Sequence, residues 1–215
     1  MKTLITFIGI FMLAFMSGAT YAQVTGGGNA GSSQNTGGNK SLKGYLYVAP
    51  SIPTGDYADE TNGCAKTGFA LGYDLLVGSK NVKFVWNQVI NYNGANYSTS
   101  YTDEYGYLRS LELSWGYLNW GENIGLRVQG TSGKIDVYGT LLAGVNLCLL
   151  TGDLSDYSTG YAFDYGLGGG VLINDRFNIG LRYTGMKSTF TMDDGSNSFE
   201  QKMPMIHLTL GFEFR

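Results

Sequence analysis

The sequence predicts an all-β fold, a closed antiparallel transmembrane β-barrel of about eight strands. Three observations carry that expectation. The 215 residues include 33 Gly, 16 Tyr, 11 Phe and only 3 Pro, and charged residues make up 14%. Gly, Tyr and Thr are poor helix material, whereas aromatics suit strands. Apolar residues recur with a period of two, and no stretch holds a 3.6-residue period. Connections between the alternating stretches are short and long in turn, which is how spanning barrels are built.

Taken in order, the chain opens with Met1-Lys2 and an uncharged apolar run over Leu4–Phe15. That run is short of the roughly 20 residues a spanning helix needs. Thr20 and Ala22 lie in a small-residue region suited to signal-peptidase cleavage before Gln23. A cleaved signal peptide is therefore expected over 1–22. Residues 23–40 are Gly, Asn and Ser with little to bury, and read as a flexible tail. The barrel is expected over 41–215.

The first strand is expected at Leu42–Ala49 and the third at Val82–Tyr92. Between them, Phe69, Leu71, Tyr73, Leu75 and Val77 alternate with Ala70, Gly72, Asp74 and Leu76. In Ser110–Tyr117, Leu111, Leu113, Trp115 and Tyr117 form the apolar row and Glu112 lies on the other. Ile135–Leu149, Tyr161–Ile173 and Phe177–Tyr183 repeat the pattern. The last strand sets Ile206, Leu208, Leu210, Phe212 and Phe214 against His207, Thr209, Gly211 and Glu213. Gly78–Asn81 and Asn174–Arg176 read as tight turns. Ser51–Ala65, Asn93–Glu104, Leu150–Thr159 and Thr191–Lys202 read as long acidic loops. Asn119–Gly133 belongs where a short turn should be, yet contains the strand-like Ile124-Gly125-Leu126-Arg127-Val128, which either extends the neighbouring strands or forms an extra hairpin.

Alternation does not by itself say which row meets lipid, since a soluble lipocalin-like carrier alternates with its apolar row inside. Here the second row is rich in Gly, Ala and Ser, which suits the crowded lumen of an eight-stranded barrel. It also carries Asp74, Glu112, Asp136, Asp164 and Arg182, expected to pair across the lumen as an ion network because buried charges need partners. Aromatics fall near strand ends on the apolar row, as membrane-interface girdles do.

The signal peptide, the Gly-aromatic strands, the glycine run in Asp164–Val171 and the ending H-L-T-L-G-F-E-F-R resemble the outer-membrane β-barrel domain family, the small OmpA/OmpX-like barrels common in Bacteroidetes. The resemblance covers about 42–215. It implies an outer-membrane protein with its N-terminal tail in the periplasm, surrounded by lipid and lipopolysaccharide. It also implies that Gly211, Phe212 and Phe214 are a C-terminal insertion signal read by the barrel-assembly machinery. The terminal Arg215 departs from the family's aromatic ending.

Little in the chain points to catalysis. His207 is the only histidine. Lipid-modifying enzymes of similar size use a lipid-facing His with a Ser, whereas parity turns His207 toward the lumen. Gly166-Leu167-Gly168-Gly169-Gly170 lacks the spacing of a phosphate loop, and no helix follows it. The loop carboxylates match no calcium-loop spacing. No cofactor is expected. The net charge of −3 argues against nucleic acid as a partner. An exported chain meets oxidising conditions, so Cys64 and Cys148, both expected at the long-loop rim, form a candidate disulfide; two separate thiols are the alternative. The function class expected is a non-enzymatic envelope barrel with a structural or surface-binding role and no wide pore. An outer-membrane lipid-modifying enzyme and a soluble periplasmic carrier are the alternatives.

Overall fold

Strands and little else make up the computed structural model, which describes residues 41–132 and 134–214. The expected signal peptide over 1–22 and tail over 23–40 lie outside the described residues. Among the described residues there are nine strands: β1 (Ser41–Pro53), β2 (Gly68–Gly78), β3 (Val82–Thr102), β4 (Leu108–Ser132), β5 (Ile135–Gly152), β6 (Gly160–Ile173), β7 (Phe177–Thr191), β8 (Ser198–Lys202) and β9 (Met205–Phe214). Each neighbour pair is antiparallel. The ladder runs from β6 back through β5, β4, β3, β2 and β1 to β9 and β7, and β7 pairs with β6. Eight strands thus form a closed ring with no open edge, as lipid demands of backbone N–H and C=O groups.

The ninth strand does not break the even count. β8 pairs only with the upper end of β7, at Lys187–Thr191, and β9 continues the same arm below. The break is at Met203-Pro204. Pro204 has no N–H for the ladder, while its carbonyl accepts from Thr54 N at 2.9 Å and Met203 N donates to Met186 O at 2.8 Å.

Of the two readings of Asn119–Gly133, the structure shows extension of a neighbouring strand and no extra hairpin through Ser132. Residues 119–132 are the lower half of β4, a 25-residue strand paired to the whole length of β3, from Val82↔Val128 to Thr102↔Leu108. Inward Asn123 and Arg127 alternate with outward Ile124, Leu126 and Val128, so the segment obeys the same period as the other strands. Much of the expected 93–104 loop is likewise strand, because β3 runs on to Thr102.

Side-chain direction follows the expected parity in β2, β5, β6, β7 and β9, and β1 and β3 alternate in the same way. Val48, Phe69, Leu71, Leu141, Val145, Leu167, Leu181, Leu210 and Phe212 are exposed on the outside, whereas Asp74, Asn87, Asn91, Asn146, Arg182 and His207 are buried inside. This is the reverse of a soluble carrier, and the apolar belt is the surface a bilayer covers. The upper part of β4 is the exception. Trp115 and Tyr117, expected on the lipid row, are buried in the interior instead. The apolar periodicity of Ser110–Tyr117 is real, but it serves the cap of the lumen.

The abundance of both Gly and Tyr has a steric reason. On the outer wall the Tyr92 ring lies over Gly116 and the Tyr165 ring over Gly185; inside, the Tyr47 ring lies over Gly72. A Cβ at any of these glycines would overlap the ring. Rings covering neighbouring-strand glycines are a known way to hold strand register.

Candidate functional site

The lumen is filled in layers. The floor, at the short-turn end, is apolar: Tyr45, Leu76, Val85, Tyr138, Leu142 and Leu172. Tyr45 closes it by donating to the Asp175 carbonyl at 2.9 Å. Above lies a polar layer built around Asp74, which has no exposed surface. Its carboxylate takes Arg127 Nη2 at 2.7 Å, Arg182 Nη2 at 3.0 Å and Asn87 Nδ2 at 2.7 Å. Arg182 also donates to Tyr47 Oη at 2.8 Å. The Arg127 guanidinium stacks 4.1 Å from the centre of the Tyr138 ring. Four strands, β2, β3, β4 and β7, are tied across the barrel through one carboxylate.

Of the five residues expected in a single ion network, Asp74 and Arg182 are joined. Asp164 stands apart, accepting from Asn123 at 3.1 Å and Asn146 at 3.5 Å. Asp136 accepts from Gln129 at 2.8 Å near the floor. Glu112 is not in the lumen at all: it is exposed on β4 above the ring, where it is paired with Ser98. The residue that parity reasoning missed is Arg127. Its signal is the alternation with Ile124, Leu126 and Val128, in a segment that sequence alone leaves between strand extension and hairpin.

Higher in the lumen, His207 Nε2 lies 3.2 Å from Ser51 Oγ. The spacing is that of a nucleophile and base, but both side chains are buried. Their neighbours are Asn91, which donates to Ser51 Oγ at 3.3 Å and Met205 Sδ at 2.9 Å, and Asn93, which donates to the Ser51 carbonyl at 3.1 Å. Above them an apolar layer of Tyr57, Trp115, Tyr117, Leu150, Phe190 and Met203 seals the upper end. The pair thus has no access to lipid or to the outside. A cavity of about 490 Å³ lies instead on the outer wall, between Leu46, Val48, Ile179, Leu210 and Phe212.

Cys64 and Cys148 are both buried in that upper apolar layer, as free thiols. Cys64 Sγ lies 3.0 Å from the Glu60 carbonyl and Cys148 Sγ 3.8 Å from Met186 Sδ. On β9, Phe212 and Phe214 are exposed on the lipid side and Gly211 faces inward.

The accessible chemistry is at the rim. Pairing of β2 to β3 ends at Phe69↔Tyr92, followed by one isolated bridge at Ala65↔Ala95. Pairing of β4 to β5 begins only at Trp115↔Gly152. Between these limits β3 and β4 continue as a two-stranded arm to Thr102↔Leu108. Thr102 is seven residues beyond Ala95, the partner of Trp115, or roughly 23 Å of strand at about 3.3 Å per residue. Neither outer edge of the arm is laddered to another strand there. Its turn is fastened by Asp103, whose Oδ1 accepts from Tyr105 N at 3.0 Å and Tyr107 N at 2.9 Å, and whose Oδ2 pairs with Arg109 Nε at 2.9 Å. Tyr101, Tyr105, Tyr107 and Leu108 stand exposed at its end, Tyr105 at 75% and Leu108 at 76%.

Two other rim carboxylates are engaged in local turns. Asp59 accepts from Thr61 Oγ1 at 2.6 Å and Asp194 from Ser196 Oγ at 2.6 Å. Those hydroxyls, with the backbone N–H of the same residues, hold both carboxyls below their ordinary range; the Arg109 contact, with the Tyr107 N–H, does the same for Asp103.

No protein-family model matches the chain, and no curated protein does. Among solved structures it is similar to Ail, the attachment invasion locus protein of Yersinia pestis. The crystal structure of Ail is 15% identical with a TM-score of 0.40, covering 82% of this chain and 99% of that one. Ail in complex with the heparin analogue sucrose octasulfate is 13% identical with a TM-score of 0.40 and the same coverage. The backbone structure of outer membrane protein Ail in a phospholipid bilayer nanodisc is 14% identical with a TM-score of 0.43, covering 81% of this chain and 100% of that one.

Proposed function

We propose that this chain is an outer-membrane barrel that binds a partner outside the cell through the β3–β4 arm. The observation that supports the reading is the arm itself, a paired hairpin carried well past the ring with both edges open. Long exposed edges invite strand pairing, and folded proteins ordinarily guard them. An extended segment of a partner adding to such an edge gains main-chain hydrogen bonds, with alternate side chains supplying selectivity. Tyr101, Tyr105 and Tyr107 supply the contact area, since tyrosine buries a large rigid surface at little conformational cost. In this reading the short turns face the periplasm, so the tail before β1 emerges there. Phe212 and Phe214 present the closing strand to the assembly machinery, and the apolar belt meets lipid and lipopolysaccharide.

The test is to shorten the arm. Residues 96–114 are replaced by an Asn-Gly turn joining Ala95 to Trp115, and the protein is reconstituted in nanodiscs. Peptides selected from a displayed library on the full chain are then titrated against both forms. The shortened form is expected to keep the gel shift between unboiled and boiled samples and to lose peptide binding. Equal binding by both forms would remove the arm as the docking element.

A further inference from the structure

The cavity on the outer wall is an apolar groove with a cation at its lower end. Two rungs frame it on three neighbouring strands, Leu46↔Phe212↔Phe177 below and Val48↔Leu210↔Ile179 above. All six side chains are exposed on the outer face. The volume of about 490 Å³ lies within the roughly 300–1,000 Å³ of ligand-sized sites. At the base Phe177 and Phe212 meet edge to face, their ring centres 5.4 Å apart.

Below the base comes the β6–β7 turn at 174–176. Arg176 directly precedes Phe177, and its carbonyl accepts at 2.7 Å from the N–H of Glu213, the residue after Phe212. Two of the strands that frame the groove thus hold Arg176 at its lower end. The neighbouring Asp175 is engaged by Lys43 at 3.0 Å. Arg176 is exposed, and among the described residues no carboxylate pairs with it. Lys80 and Lys134 stand exposed on the other two short turns, whereas Glu60, Glu104, Asp156 and Asp193 are exposed at the long-loop end. The short-turn end therefore favours an anion, and the groove above it favours hydrocarbon.

A bilayer supplies both in one molecule. The groove belongs to the apolar belt that a membrane covers. An acyl chain lying in it leaves the glycerophosphate at the edge of the belt, where the turn is. A guanidinium presents paired N–H donors that match phosphate geometry. One groove and one guanidinium fit one chain and one phosphate.

We propose that this groove binds an anionic phospholipid, one acyl chain lying between Val48, Leu210 and Phe212 and the phosphate resting on Arg176. The site rests on the belt meeting lipid. It lies at the opposite end from the β3–β4 arm, so its failure and the failure of docking on the arm are separate results.

Native mass spectrometry of the full chain released from detergent micelles tests it, with dipalmitoyl phosphatidylglycerol as the probe. Wild type is expected to retain one lipid per barrel. R176Q removes the cation and L210W fills the groove, and each is expected to weaken retention at least ten-fold. Val48→Trp fills the groove from the other side should L210W not fold, and the heat-dependent gel shift reports folding of every variant. K134Q, on another short turn, and V145W, on the far wall, should bind as wild type does. Dipalmitoylglycerol, which has the chains and no phosphate, should be retained at least ten-fold more weakly by wild type. Equal retention by wild type and all variants would mean a general lipid coat and would overturn the proposal. So would a loss with K134Q as large as that with R176Q, or equal retention of the phosphate-free lipid.

Discussion

Asp74 shows what a single buried carboxylate does in a filled lumen. Two guanidinium groups and one amide converge on it, and neither Asp74 nor Arg127 retains exposed side-chain surface. Such a pair is not stabilising merely by existing, because desolvation opposes the attraction. Breaking it is costly for another reason: the arginines stay behind without their counter-charge. Asp74→Leu is expected to destabilise the barrel by about 3–5 kcal/mol, the usual cost of orphaning a buried charge. Removing Arg127 as well should recover part of that loss, since D74L/R127L leaves only Arg182, which keeps its bond to Tyr47 Oη. Urea titration of the protein in lipid vesicles measures both. A D74L barrel as stable as wild type would show that the arginines are solvated in the lumen.

At the scale of elements, the rim turns and the arm depend on carboxylates in a different way. Asp59 and Asp194 are exposed and Asp103 is half-buried, and each is held below the ordinary aspartate value of 3.8 by donors in its own turn. A depressed folded-state value stabilises the turn above the unfolded value and ceases to do so as pH falls through the folded one. The turns should therefore keep their order from neutral pH down to about 4 and loosen only below that, with the ladder strands unaffected. Amide exchange of Thr61, Tyr105, Tyr107 and Ser196 in micelles reports it. Loss of protection already between pH 7 and 5 would contradict the assignment.

The same elements show which parts of the fold are legible in the sequence. β2, β5, β6, β7 and β9 announce themselves because one row meets lipid along most of each strand, so apolar residues alternate with lumen residues. β4 does not, for two physical reasons. Its upper end turns Trp115 and Tyr117 inward to cap the lumen, and its arm faces water on both sides, so Glu112 is free of the lumen rule. Parity carries the position of Arg127 once its segment is known to extend β4, and an extra hairpin was the competing reading. Partners that depend on three-dimensional register, such as Ser51 with His207, leave no periodic signal, because the strands that join them are separated in the chain.

For the molecule as a whole, closure and filling lead to one further expectation. Eight strands give a ring whose interior side chains can fill. Here the filling is layered, with an apolar floor around Tyr45 and Leu76, a charged middle around Asp74 and an apolar cap around Tyr117 and Phe190. An ion crossing the lumen has to displace two apolar layers and part the Asp74 cluster, whose members are fixed by several bonds each. Ring closure and lumen sealing are separable by experiment. An unboiled sample in detergent should migrate differently from a boiled one, because the hydrogen-bonded ring persists until heated. The same folded protein in planar bilayers should give no discrete conductance steps at either polarity. Steps that persist in D74L but are absent in wild type would place the seal at the charged middle. Steps already present in wild type would mean a continuous water path past Tyr45, Arg127 and Tyr117, and would refute the sealed lumen while leaving the closed ring intact.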